Sequence, residues 1–150
     1  MANNETHVVT GAFGYSGRHL AAALLQQGTR VRTITGHPSQ LRSDPFDGQI
    51  EASPFNFDDP DALVRSLEGA TVLYNTYWVR FDYGDTTYDK AVENTRTLIR
   101  AAVSAGVERF VHVSITNPTI DSPLPYFRGK ALLEQDLAES GLSHAILRPT

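Results

Sequence analysis

Two rhythms of apolar and polar positions alternate along this chain. Short apolar runs, the mark of buried strands, are separated by longer stretches whose apolar positions recur every three or four residues, the mark of amphipathic helices. The pattern predicts strands over 7–10, 30–35, 49–52, 71–75, 110–114 and 143–147. It predicts helices over 15–27, 61–67, 86–105 and 126–140, with a short one over 38–43. Punctuation agrees. Gly28, Gly106 and Gly141 each follow a helical pattern, where a left-handed residue closes a helix. Asp59-Pro60 offers a cap and then a proline in the first turn. Strict strand–helix alternation implies an α/β fold, a doubly wound parallel sheet with helices on both faces. In such sheets ligands bind outside the carboxyl ends of the strands.

The chain carries no internal repeat, low-complexity segment or linker, so residues 1–150 read as one domain. Leu147-Arg148-Pro149-Thr150 follows the last strand with no closing element, which suggests the N-terminal part of a longer protein lacking its C-terminal substrate-binding portion.

Within this frame one segment carries the strongest chemistry. Thr10-Gly11-Ala12-Phe13-Gly14-Tyr15-Ser16-Gly17 joins the first strand to the first helix. A strand, a glycine turn and a helix form a phosphate cradle, because the helix directs free N–H groups and its positive dipole end at an anion. Gly11 makes the turn, Gly14 admits a pyrophosphate, and Gly17 lets the helix pack on the sheet. The segment's place in the first βα turn of an alternating chain points to dinucleotide binding, as in a Rossmann-type cofactor domain. Its spacing differs from the usual G-x-G-x-x-G. Gly11 through Gly17 and Arg18 are therefore candidate cofactor-binding residues.

An acid about 20 residues further on usually reads the ribose of NAD. Here that region is Thr33-Ile34-Thr35-Gly36-His37, and the nearest acid is Asp44. Arg18, His37 or Arg42 could face a 2′-phosphate. The cofactor is NADP or NAD, with a lean to NADP.

Tyr126-Phe127-Arg128-Gly129-Lys130 is the second constellation. Residues four apart share a helix face. A tyrosine's pKa near 10 is too high for efficient proton transfer at neutral pH, and a neighbouring ammonium lowers it. This makes Tyr126 a candidate general acid/base, and Lys130 its tuner and a ligand of the nicotinamide ribose. Ser114, at the end of the fifth strand, is placed to hold the substrate oxygen, with Thr116 two residues on.

Composition narrows the partners. The net charge is −4 and there is no basic run of the kind that tracks nucleic acid. No apolar stretch approaches the roughly 20 residues that span a bilayer. No secretory signal is visible at Met1-Ala2-Asn3-Asn4-Glu5, which favours the cytoplasm. Cysteine is absent, which excludes disulfides, thiolate metal sites and a thiol nucleophile, and no metal site is expected.

With these residues the chain resembles the short-chain dehydrogenase/reductase superfamily, specifically its extended and atypical members, including NmrA-like and complex-I-subunit-like NAD(P)-binding proteins. The resemblance runs through Thr10-Gly11-x-x-Gly14-x-x-Gly17, the passage from Ala101 to Ser114, the Tyr126-x-x-x-Lys130 pair and Leu147-Arg148-Pro149. It implies hydride transfer at a carbonyl or alcohol carbon, by an NAD(P)-dependent oxidoreductase or epimerase acting on a small molecule. Ser114, Tyr126 and Lys130 would be its catalytic residues. The alternative within the resemblance is a non-catalytic, nucleotide-sensing or scaffold protein.

Three departures stand out. Asn56 occupies the position of the family's adenine-side Asp, where its amide can still bond the adenine amino group. Tyr74-Asn75-Thr76-Tyr77 replaces the His-x-Ala-Ala end of the fourth strand, making Asn75 and Thr76 candidate cofactor contacts. Ser114-Ile115-Thr116 replaces Ser-Ser, which leaves the active hydroxyl open between Ser114 and Thr116. The loop after the fourth strand crowds Tyr77, Trp78, Phe81 and Tyr83 around Arg80, either as a substrate pocket or as packing beneath the C-terminal portion.

Overall fold

The computed structural model describes residues 4–36 and 44–150. Six parallel strands form one sheet in the order β3-β2-β1-β4-β5-β6. They are β1 (Thr6–Thr10), β2 (Arg30–Thr35), β3 (Glu51–Pro54), β4 (Val72–Asn75), β5 (Arg109–Val113) and β6 (Ser143–Leu147). The helices are α1 (Tyr15–Gln26), α2 (Pro60–Leu67), α3 (Tyr88–Ala105) and α4 (Pro125–Glu139). The chain runs outward from β1 through β2 to β3, then returns to place β4 on the other side of β1. His7 pairs with Val31 on one side and with Val72 on the other. That reversal opens a crevice at the carboxyl ends of β1 and β4, where open α/β sheets place ligands.

Alternation along the strands divides the core in two. Val8, Ile34, Leu73 and Phe110 pack with Leu63 and Leu67 of α2, Leu98 and Ala102 of α3, and Leu137 of α4. Val9 and Val31 pack on the opposite face with Ala21 and Leu24 of α1. Right-handed crossovers dictate this division: two successive moves in one direction and three in the other put their helices on opposite faces. No helix among the described residues is long and apolar enough to cross a membrane.

The element ends show what the periodicity missed. β3 starts two residues later than expected, because the Asp44 carboxylate accepts N–H bonds from Phe46 (2.8 Å) and Gly48 (2.9 Å) and keeps the chain turning. α3 also starts two residues late. Tyr83 and Thr86 bond in a small antiparallel bridge, and Thr87 then caps the helix by accepting from Lys90 N–H at 3.0 Å. The Asp59 cap forms as expected, accepting from Ala62 N–H at 3.0 Å. Gly28, Gly106 and Gly141 all take positive φ behind their helices. The expected short helix over 38–43 lies outside the described residues.

Phe110 is fully buried in the centre of the larger core. Phe110→Ala is expected to cost about 3–5 kcal/mol, read as a lower urea midpoint at unchanged slope.

Candidate functional site

The glycine turn is built from backbone. Gly11 has φ +63°, a left-handed conformation that a side chain would strain. Its N–H donates to the Ile34 carbonyl at 2.9 Å, and its carbonyl accepts from Gly14 N–H at 2.9 Å. A Cβ at residue 17 would lie 2.1 Å from the Gly11 carbonyl oxygen, so α1 rests on the turn only because residue 17 is glycine. At Gly14 the same atom would stand 3.2 Å from that oxygen. Gly14 is exposed and forms cleft wall.

A cleft of about 540 Å³ lies over this turn. Thr10, Gly11, Gly14, Tyr15, Ser16 and Gly17 form one wall, Thr35, Gly36, Phe55 and Phe57 another, and Thr76, Tyr77, Trp78 and Arg80 the third. None of these is acidic, and α1 aims its N-terminus into the space. Glycine where a ligand must come close, a helix N-terminus and the Arg80 guanidinium suit the pyrophosphate of a dinucleotide. Phe55 and Phe57 stack at 4.8 Å, and Tyr77 lies 5.2 Å from each, an apolar wall suited to a flat ring.

Several expected cofactor residues stand outside this lining. Ala12 is buried, and its N–H is already committed to Thr33 Oγ1 at 3.0 Å. Phe13 packs into the α1-side core. Arg18 points to solvent and stacks over the Tyr15 ring at 5.6 Å. Asn56 sits between the two phenylalanines that line the cleft in its place. His37 lies outside the described residues. Phe55 and Phe57 were not anticipated. Their signal was an apolar pair flanking a polar residue just past a strand end.

Asn75 is buried and works beneath the cleft. It accepts from Thr10 Oγ1 (3.2 Å) and from Tyr77 N–H (3.1 Å), and its amide donates to His112 Nδ1 (3.2 Å). Thr76 fastens the same loop to β1, N–H to Thr10 Oγ1 at 2.8 Å and hydroxyl to the Thr10 carbonyl at 2.7 Å.

The second constellation is arranged differently from the expectation. Tyr126 and Lys130 share a face of α4, but neither they nor Ser114 line the cleft. Lys130 is 3% exposed and donates to the Val113 carbonyl at 2.9 Å. Burial brings its pKa down to about 8, with Glu134 acting the other way. Trp78 covers it, with Nζ 4.4 Å from the ring centroid. Tyr126 meets Trp78 and Tyr88 edge-on, each at 5.6 Å. Burial, and then Tyr88, push its phenol above the ordinary value, while Arg80 pulls it down. The groups that set the Tyr126 pKa are its burial, Tyr88 and Arg80, while the Lys130 ammonium bonds Val113 and lies over the indole.

Ser114 is also 3% exposed; its N–H donates to the Leu147 carbonyl at 2.7 Å, while its hydroxyl lies beside the Glu134 carboxylate without a well-formed hydrogen bond. Burial pushes the Glu134 carboxyl up, and a two-pronged bond from Arg148, helped by Ser114, more than reverses this. Thr116 is half-buried, so of the two hydroxyls it is the more accessible. Its N–H bonds the Pro149 carbonyl at 3.1 Å.

Known proteins share this architecture. The family model described as NAD(P)H-binding matches residues 11–150. The chain is 34% identical to sterol demethylase protein B of Methylococcus capsulatus, over 96% of this chain and 50% of that protein. It is 29% identical to the photosystem II assembly factor Ycf39 of Cyanophora paradoxa, over 94% of this chain and 44% of the other. The chain thus spans about half the length of these relatives. Triphenylmethane reductase of Citrobacter sp., solved with NADP(H), superposes with a TM-score of 0.77 at 17% identity, over 95% of this chain and 48% of the reductase, a likeness of fold.

Two outcomes follow. Gly17→Ala forces α1 off the turn and is expected to cost about 1–3 kcal/mol in thermal or urea unfolding, with a clearly smaller loss for Gly14→Ala. His112, buried with Nε2 unpartnered, has its pKa pushed down to about 3, by burial first, then by Lys130, against Glu134. The unfolded chain therefore binds a proton below about pH 6.5 that the folded chain refuses. The stability tied to neutral His112 is fully present above that pH. It is lost as pH falls toward about 3, by up to ~1.4 kcal/mol per unit. His112→Gln should flatten the stability–pH slope between those limits; parallel slopes for variant and parent would refute this.

Proposed function

The chain belongs to the NAD(P)H-binding family, and from that membership we propose that it forms the cofactor half of an NAD(P)-dependent oxidoreductase or epimerase of the short-chain dehydrogenase type. The observation that carries the reading is the glycine turn at the switch point of the sheet, opening a cleft with no acid among its described lining residues against the N-terminus of α1. Bound there, the dinucleotide supplies a hydride donor or acceptor for a carbonyl or alcohol carbon.

The chain's own residues do the rest. Backbone N–H groups at the start of α1, with Arg80 across the cleft, hold the pyrophosphate. Phe55, Phe57 and Tyr77 clamp the adenine end. Tyr126 gives or takes the proton at the substrate oxygen. Thr116 is favoured over buried Ser114 as the hydroxyl that positions this oxygen. Lys130 orients the ribose once its ammonium is free to face the cleft. The choice between NAD and NADP belongs to residues near 37–43.

A non-catalytic, dinucleotide-sensing protein is the second reading. Its support is the screening of Tyr126 and Lys130 from the cleft by Trp78.

Calorimetric titration with NADPH and NADH, followed by a carbonyl-substrate screen on the full-length protein, separates the two. The enzyme reading expects binding by at least one cofactor, and turnover that falls about 10²-fold or more in Tyr126→Phe. Binding without turnover, or turnover indifferent to that change, favours the sensor. If neither cofactor binds at millimolar concentration, both readings fail.

A further inference from the structure

Trp78 stands between the cleft and the two side chains that the proposed chemistry needs. Trp78 is one of the residues that line the cleft. The ring lies against Lys130 Nζ and meets Tyr126 edge-on. The fit extends to the backbone of α4. A Cβ at Gly129 would come within 3.1 Å of both Trp78 Cη2 and Val92 Cγ2, so glycine at 129 leaves the space the indole fills.

Two features mark this position as one of two. The indole N–H is buried without an acceptor, a loss that a different ring orientation would recover. Lys130 bonds a main-chain carbonyl and an aromatic face, contacts that hold an ammonium in place without employing it in the cleft.

We propose that Trp78 gates the site: its indole separates Tyr126 and Lys130 from the reacting end of the dinucleotide, and it swings aside before they meet. The inference rests on the oxidoreductase reading, since a protein that only senses the dinucleotide needs no such movement. In the shut position the wall is complete for adenine and pyrophosphate. Only the nicotinamide end requires the ring to leave.

The chain is well suited to the test. Trp78 is its one tryptophan, and Lys90, exposed on α3, is its one other lysine. Tryptophan emission and acrylamide quenching are followed with ADP-ribose, which carries the pyrophosphate but no nicotinamide, and with NAD+ and NADP+, binding being measured separately by calorimetry. ADP-ribose should leave quenching unchanged. The full dinucleotide should raise it roughly twofold, with a red shift, as the ring leaves its buried seat. A bound dinucleotide that leaves quenching unchanged overturns the gate while the cofactor reading stands. Lys130 acetylation relative to Lys90, read by mass spectrometry without ligand, is the second measurement. It should rise about tenfold in Trp78→Ala and stay near the parent value in Trp78→Phe, which keeps a ring. An unchanged ratio in folded Trp78→Ala also overturns the proposal. If Trp78→Ala fails to fold, the quenching result on the parent protein decides alone. Absence of any dinucleotide binding removes the function and the gate together.

Discussion

Helix α1 sits where it does because residue 17 has no side chain. The Gly11 carbonyl occupies the place that a Cβ at 17 would need. That carbonyl is turned inward by the positive φ of Gly11, whose N–H is anchored to β2 through Ile34. Strand, turn and helix are thus locked by one close approach between backbones. Moving α1 out by the width of a methyl group would retract the N–H groups of its first turn from the cleft, and with them most of the local positive potential. Sheet topology supplies the remainder by opening a crevice beside the same turn. The cofactor half of the site therefore depends on a missing atom, which explains how a short glycine pattern carries so much structure.

Beneath the cleft runs a second constraint. Thr10, Asn75 and His112 lie side by side at the carboxyl ends of β1, β4 and β5, all buried. Buried polar groups must find partners, and these find one another across three strands. Their bonds also hold the loop after β4, through the N–H groups of Thr76 and Tyr77. The floor of the cleft is consequently tied to the sheet. Among the described residues, four buried side-chain atoms lack a partner: Arg32 Nε in β2, and His112 Nε2, Ser114 Oγ and the Trp78 indole N–H on the side of α4.

The reach of each interaction along the chain explains what could be read from the sequence alone. The strands, the helix caps and the glycine turn were legible because each follows from local rules: period, capping chemistry and φ preference. The late starts of β3 and α3 were not, because they depend on Asp44 and Thr87 side chains bonding backbone a few residues away. The pairing of Tyr126 with Lys130 was correct as helix geometry. Its electrostatic consequence did not follow, since a residue 48 positions before Tyr126 in the chain, Trp78, lies against both. Ser114, expected as the last residue of the fifth strand, directly follows β5. Which way it faces depends on the packing of α4 over β5, and Glu134, which it approaches there, gave no warning in the sequence.

The state of Tyr126 connects these observations. A phenol held above its ordinary pKa by burial remains protonated at neutral pH. It can donate a proton but is a poor acceptor, and the cation that opposes this is Arg80, one of the residues lining the cleft. Lys130, the cation expected to do so, is spent on Val113 and Trp78. Under the proposed gate, two arrangements of the indole would correspond to two proton-transfer states. With the ring in place the phenol is isolated and neutral. With the ring displaced, an ammonium one helical turn away is free to face it and to stabilise the phenolate. Access to the cofactor and readiness for proton transfer would change in the same movement, because one aromatic ring obstructs both.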